Sequence, residues 1–412
     1  MKREKQLEIL KELLRQVDTG KNIDCGAQVR MSTQHYTDPE IASREWHSFF
    51  KNHTQLIGLS GDLPKPGTYF TTSDFGVPVL AVRGQDGEFR AFLNACRHRG
   101  VRVAEEGRGQ ANKFTCPFHA WTYSNKGDLV AIPQQEQWGE LDKSCHGLKQ
   151  LPALERDGLL WVHPQPDGKI DLDEQLGPLV EEIAGFNFGD LVYMGESVLE
   201  MGLNWKLAND TFGETYHFQK LHKDTLGQLF YGDNLSYETF GKNHRFVFAN
   251  RSIDELHNLP ESEWVFQAYT NLLWFLFPNI QFNVGGGSVS LIKIYPDPEK
   301  PGRSLTRVGH YFSREAVEMQ EMAKQDPNII VSGADEAYLF EDGKQRVLSL
   351  EAVAEVFVST IEQEDYLMGE STQRAVDSGL MDEVIFGRNE PALHHYHRTF
   401  AEALQIPGPQ PL

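Results

Sequence analysis

The sequence predicts an α+β fold in two parts, a small antiparallel β domain followed by a larger mixed domain. Three observations predict it. Between residues 49 and 165, short β-branched and aromatic runs alternate with Gly, Asn and Asp turn signals. Residues 164–178 are rich in Pro, Asp and Gly, as a linker would be. Beyond them, strand-like runs mix with helical periodicity, and no internal repeat interrupts the pattern. The expected boundaries are 1–48 for an N-terminal helical segment, 49–165 for the β domain and 166–412 for the larger domain.

The elements follow in order. Leu7, Leu10, Leu13, Leu14 and Val17 recur at three- and four-residue spacing, so residues 3–18 read as an amphipathic packing helix that Gly20 stops. Val77–Val82 and Phe89–Leu93 read as strands joined through Asp86 and Gly87, a strong hairpin turn. Pro78 suits the start or edge of its strand. Trp121–Tyr123, Leu129–Val130 and the closing run Gly158–His163 complete the β pattern. Trp264 to Val284 is dense in aromatics, is broken by Pro278, and suggests adjacent core strands. Near the C-terminus, Val353, Phe357, Ile361 and Met368 mark the apolar face of a helix, and Asp365 falls on that face.

The bulk numbers exclude some function classes. The 412 residues are 40% hydrophobic and 24% charged, ordinary for a globular protein with ample core. A formal net charge of -20 argues against nucleic acid and against an anionic membrane surface, while leaving room for a basic protein partner. The start, Met1 to Lys5, leads into mixed charge rather than an apolar targeting core, and no run approaches the ~18 apolar residues of a membrane helix, so a cytoplasmic location is expected.

Only four cysteines occur: Cys25, Cys96, Cys116 and Cys145. Cys25 and Cys145 read as ordinary free thiols. Cys96 and Cys116 each stand beside a histidine at ligand spacing, Cys96 with His98 and Cys116 with His119, with seventeen residues between His98 and Cys116. Two thiolates and two imidazoles suit either a structural zinc or a Rieske [2Fe–2S] centre, in which two Cys hold one iron and two His the other. Spacing alone leaves both open. Each half mixes Cys with His, whereas zinc-finger spacing groups like with like.

A second constellation lies at 204–222. His217 and His222 are five apart, an awkward spacing on one regular helix, so a helix end or distortion is expected between them. Asp210 and Glu214 stand close by in sequence. The two histidines are either satisfied structural residues or metal ligands. A third, carboxylate ligand would complete a two-His-one-carboxylate iron site. The buried face carrying Asp365 offers one, unless that acid is internally paired.

The residues Cys96, His98, Arg99 and Gly100, then Cys116, Pro117, His119 and Trp121, resemble the signature of Rieske domains in the terminal oxygenase α subunits of Rieske non-haem iron oxygenases, the aromatic ring-hydroxylating family. Asn204, Trp205 and Lys206, followed by Glu214, Tyr216, His217 and His222, are similar to that family's iron-binding segment. The likeness runs from about residue 40 to 385. It implies a Rieske cluster on Cys96, His98, Cys116 and His119 with Trp121 beside it. It implies Fe(II) on His217, His222 and Asp365, with Glu364 as the fallback third ligand. It implies that the acid at 214 bridges the two redox centres. Most members carry Asp there and some acting on quaternary ammonium compounds carry Glu, as here, so the reach of the bridge differs. Asp210 matches a polar position near the iron.

The resemblance also implies a helix-grip catalytic fold, an antiparallel sheet wrapping a helix, and a head-to-tail homotrimer. It implies hydroxylation of an organic, foremost aromatic, substrate by O2, with C–N cleavage of a quaternary ammonium compound second. Electrons must come from a separate NAD(P)H-dependent reductase, with or without a ferredoxin. The chain has no Rossmann glycine fingerprint after a strand and too few cysteines for a plant-type ferredoxin cluster. A non-catalytic electron carrier or a zinc-stabilised binding module is the contrasting class. Trp264, Phe266, Tyr269, Trp274, Phe275, Phe277 and Phe282 could line an apolar pocket or a cation cage, but read first as core. Gly285–Gly287 reads as a strand turn and not a phosphate loop, and His394, His395 and His397 as an exposed tail segment.

Overall fold

The computed structural model describes residues 1–333 and 345–412. The chain forms two compact units. The smaller holds Glu45–Asp171 with Phe186–Leu191, and the larger holds Met1–Arg44, Leu172–Gly185 and the residues from Val192 onward. Among the described residues no helix is long and apolar enough to cross a membrane.

The smaller unit is antiparallel β. Its main sheet runs in the order Gln150–Leu151, Phe89–Leu93, Val79–Arg83, Thr68–Thr72, Arg108–Gln110. Pro78 sits immediately before the central strand, where its missing N–H costs no ladder bond. Gly87, at φ +82°, makes the turn of the 79–93 hairpin. A second sheet pairs Ala153–Arg156, Leu159–Val162 and Gln55–Leu59. The third, Lys113–Thr115 with Thr122–Ser124 and Leu129–Ala131, carries one of the Cys/His loops.

The larger unit is built on seven antiparallel strands. They are β1 Val192–Met201, β2 Ser236–Phe240, β3 Asn243–Ala249, β4 Thr270–Leu276, β5 Ile280–Gly285, β6 Ser288–Pro296 and β7 Ser304–Phe312. Their order is β1-β7-β6-β5-β4-β3-β2. The aromatic run supplies β4 and β5, and Trp274, Phe275 and Phe282 are fully buried, so these side chains are core. Gly286 and Gly287 turn β5 into β6 with φ of +58° and +78°, as the strand-turn reading requires.

The helices that matter to the site are α1 Arg3–Thr19, α2 Gln34–Thr37, α3 Trp205–Asp210, α4 Leu350–Thr360, α5 Tyr366–Asp377 and α6 Pro391–Leu404. In α1, Leu10, Leu13 and Leu14 are buried and Gly20 closes the helix in the left-handed conformation. Helix α6 lies against the sheet: Tyr396 packs edge-on to Phe275, and Phe400 meets Phe277.

Three expectations are corrected. His394, His395 and His397 are not in an exposed tail; they lie on α6, with His394 and His397 buried, because this helix fills the grip of the sheet. The stretch read as linker already folds within its length, since Leu172–Leu176 is helical with both terminal leucines buried. The regular apolar face through Val353 and Met368 does not exist. Ile361–Asp365 forms a π-turn between α4 and α5, and the extra residue rotates everything beyond it by about 100°. Ile361 and Asp365 stay buried, while Val353 and Met368 are exposed.

Candidate metal centres

Two loops of the smaller unit present the Cys/His pairs with the same backbone geometry. Cys96 N–H bonds Val101 O, and Gly100 N–H bonds back to Cys96 O. Likewise Cys116 N–H bonds Trp121 O, and Ala120 N–H bonds back to Cys116 O. Each loop therefore turns through a left-handed residue four places after its cysteine: Gly100 at φ +79° and Ala120 at φ +57°. Glycine takes this conformation freely, whereas alanine pays roughly 1 kcal/mol.

The thiols point inward and the imidazoles outward. Cys96 and Cys116 are buried and carry no disulfide, whereas His119 is exposed. The His98 and His119 rings lie 4.7 Å apart, and His98 stacks on Trp121 at 5.3 Å. Burial, then the neighbouring His119, lowers the His98 imidazole, keeping it in the neutral, ligating form. Tyr123, read from the sequence only as a strand residue, lies with its hydroxyl 3.2 Å from Cys96 Sγ while accepting the Arg97 N–H. Trp121 Nε1 is buried with no partner among the described residues. Two buried sulfurs, two neighbouring imidazoles and a spare buried donor fit a Rieske cluster.

The second centre begins where α3 ends. Asn204 caps α3 by accepting the Lys206 N–H at 2.9 Å. Beyond Asp210 the chain passes into successive turns that carry Glu214, His217 and His222. The helix thus ends before both histidines and not between them, and the five-residue spacing is met by turns. Nε2 of His217 and Nε2 of His222 face each other at 3.1 Å. Asp365 Oδ1, delivered by the π-turn, lies 3.4 Å from the first and 3.2 Å from the second. Among the described residues these three side chains form the group able to hold a metal ion.

The outer partners are placed as a metal site requires. Glu214 takes hydrogen bonds from both the backbone N–H and Nδ1 of His217. Glu364 takes one from His222 Nδ1 at 2.7 Å and one from Thr225 Oγ1 at 3.0 Å. Each Nδ1 is thereby engaged by a carboxylate, and each Nε2 faces Asp365. Glu364, kept in reserve as a ligand, thus stands behind His222 rather than beside Asp365. Asp210 lies apart from the trio, bonded to Tyr36 and His397.

The electrostatics point to a cation. Burial alone would lower His217, but Asp365 and Glu214 outweigh it and raise the imidazole to about 10. Burial alone would raise Asp365, but the two imidazoles hold it below its usual range. Three carboxylates around two histidines draw in positive charge, which fits Fe(II) with open coordination positions.

Comparisons with known proteins agree with both centres. Residues 53–152 match the model of the Rieske [2Fe-2S] domain, and residues 188–406 match that of the ring hydroxylating alpha subunit catalytic domain. The chain is 31% identical over 187 residues to the glycine betaine monooxygenase oxygenase subunit of Chromohalobacter salexigens, covering 45% of this chain and 42% of the relative. It is 33% identical over 199 residues to the biphenyl 2,3-dioxygenase alpha subunit of Rhodococcus jostii, covering 46% and 42%. These matches span less than half of those relatives' length. Among solved structures it resembles the quaternary ammonium Rieske monooxygenase CntA, with TM-score 0.73, 21% identity and coverage of 92% and 97%. It also resembles naphthalene 1,2-dioxygenase from Rhodococcus sp., with TM-score 0.64, 18% identity and coverage of 97% and 98%. A Rieske domain carries a [2Fe–2S] cluster, and the catalytic domain of these oxygenases binds a mononuclear iron. Because the catalytic-domain match alone covers more than half of the chain, with a Rieske domain preceding it, the chain belongs to the α subunits of the Rieske oxygenases.

Proposed function

We propose that this chain is a terminal oxygenase that hydroxylates an organic substrate with O2 and electrons from a separate NAD(P)H-dependent reductase, with or without a ferredoxin. The observation that carries the proposal is the convergence of His217, His222 and Asp365 in a chain that also carries the paired Cys/His loops. Cys96, His98, Cys116 and His119 would hold the cluster, with Trp121 beside it, and His217, His222 and Asp365 the iron. When bound, these groups supply electrons and dioxygen activation. The protein's part is to orient. Glu214 and Glu364 fix both imidazoles in the tautomer whose Nε2 is free to ligate. Glu214 also stands as the proposed bridge toward a cluster. A homotrimer is the proposed assembly.

An aromatic compound is the first substrate class, supported by the biphenyl dioxygenase relative and by an anthranilate 1,2-dioxygenase relative from Acinetobacter baylyi. The second reading, oxidation of a quaternary ammonium compound, is favoured by Glu at position 214 and by the glycine betaine relative.

Electron paramagnetic resonance on anaerobically purified, dithionite-reduced protein tests the cofactors. A Rieske-type signal with about three irons per chain is expected. Zinc without that signal would sink the proposal. Substrate-dependent NADH oxidation with a surrogate reductase, screened over aromatic acids and betaine-type cations, then separates the two readings. Loss of oxygen uptake in His217→Ala separates an oxygenase from an electron carrier, which that change would not affect.

A further inference from the structure

Four consecutive residues of α6, His394 to His397, make polar or ring contacts that no metal site uses. His397 carries the inference. It is fully buried, stacks on Phe386 at 5.1 Å, and donates from Nε2 to Asp210 Oδ1 at 2.8 Å. The other oxygen of Asp210 accepts the hydroxyl of Tyr36, a buried residue of α2, at 2.8 Å. Tyr36 and His397 themselves approach to 3.3 Å. The last residue of α3 is therefore clamped through both carboxylate oxygens by donors from two other helices.

This arrangement is costly for stability alone. Among the described residues His397 Nδ1 is buried with no partner, and an unsatisfied buried nitrogen is destabilising. An apolar contact would pack the same space without that cost.

We infer that His397 and Tyr36 are positioning residues for the iron-binding segment, acting by fixing Asp210. Three observations connect Asp210 to the metal site. Asp210 O accepts the N–H of Gly213, the residue before Glu214. Gly213 is pressed against α6 so closely that a Cβ there would collide with Leu393 and Tyr396. Burial, and then the nearby charges of Glu214 and Asp210, raise the Glu390 carboxyl, so the three acids share one region. Helix α6 thus grips the chain on the N-terminal side of Glu214, first at Asp210 and then at Gly213. Glu214 in turn holds His217 through its backbone and its ring. Loosening the Asp210 clamp lets Glu214 and His217 shift, and the metal site loses its geometry.

The inference rests on His217, His222 and Asp365 being the metal ligands. The test uses full-length protein with its Rieske cluster intact and its mononuclear site stripped, titrated with Co(II). Affinity is read by competition with a chelator and geometry by the visible ligand-field bands. His397→Leu removes the donor at similar bulk, His397→Gln retains an N–H, and Tyr36→Phe removes the second donor without changing shape. His397→Leu is expected to bind Co(II) about tenfold more weakly with shifted bands, as loss of outer-shell support does. His397→Gln is expected to restore most of both. A general loss of stability would lower the melting temperature without moving the bands or being rescued by Gln. Wild-type affinity and bands in His397→Leu would overturn the inference. If that variant fails to fold, unaltered bands in Tyr36→Phe would overturn it instead. If wild-type protein binds no Co(II) that His217→Ala abolishes, the underlying ligand assignment fails, and this inference fails with it.

Discussion

Two adjacent acids, Glu364 and Asp365, are assigned opposite places at the metal site, and substitution separates them. Glu364→Ala removes the acceptor of the His222 Nδ1–H, a 2.7 Å bond. A hydrogen bond to a charged group contributes about 1.5–3 kcal/mol. His222 is only 1% exposed, so its orphaned N–H has no water to turn to. An unsatisfied buried donor costs about 1–3 kcal/mol. Both routes give roughly 2 kcal/mol. That corresponds to the 10–100-fold affinity loss, about 1.4–2.7 kcal/mol, typical when the outer partner of a ligating histidine is removed. Glu364→Ala should therefore bind Co(II) 10–100-fold more weakly while keeping the three-donor spectrum. Asp365→Ala should lose a donor outright, weaken binding further and change the spectrum. Competition titration of the stripped protein measures both. Wild-type affinity in Glu364→Ala would refute the outer-shell assignment, and a three-donor spectrum surviving in Asp365→Ala would refute the ligand.

The left-handed turns of the two Cys/His loops give a paired prediction. Ala120→Gly should stabilise the smaller unit by up to about 1 kcal/mol, and Gly100→Ala, where a Cβ meets nothing within 4 Å, should destabilise it by about 1–2 kcal/mol. Thermal melts followed at the cluster absorbance would show opposite shifts. In the larger unit, Arg245 is buried and bonds Glu182, which also accepts Trp274 Nε1 at 3.0 Å. Arg245→Met should cost about 3–5 kcal/mol by stranding the buried Glu182, read by urea unfolding. Buried neutral histidines set the acid limit. Burial, helped by Lys206 and His397, holds His35 down to about 4, and burial also lowers His244, His310, His394 and His395. The folded state then binds fewer protons than the unfolded one, whose histidines titrate near 6.5. Stability of the metal-loaded protein should be complete above that value and fall as pH drops toward 4, measured by melting temperature against pH. A flat profile between pH 7 and 4 would contradict the buried-neutral assignment.

Much of this protein can be read directly from its sequence. Cys96, His98, Cys116 and His119 are legible because ligand spacing is local: each pair needs one loop, and the loop is encoded within five residues. The five-residue spacing of His217 and His222 argued against one regular helix, and both histidines stand in turns, although α3 ends earlier, at Asp210, and not between them. Alternation and turn residues located the antiparallel sheets for the same reason, since a hairpin is a neighbour interaction. Tertiary structure decided whatever depends on partners distant in sequence. Asp365 lies beyond residue 360 yet meets His217 and His222, and the π-turn that delivers it broke the regular periodicity from which the helix face was drawn. The role of Glu364 behind His222 follows only once the two segments meet. His394, His395 and His397 looked like a polar tail because composition cannot reveal a sheet curling around a helix. A buried imidazole is stable only when a distant donor or acceptor, such as Asp210, is brought to it.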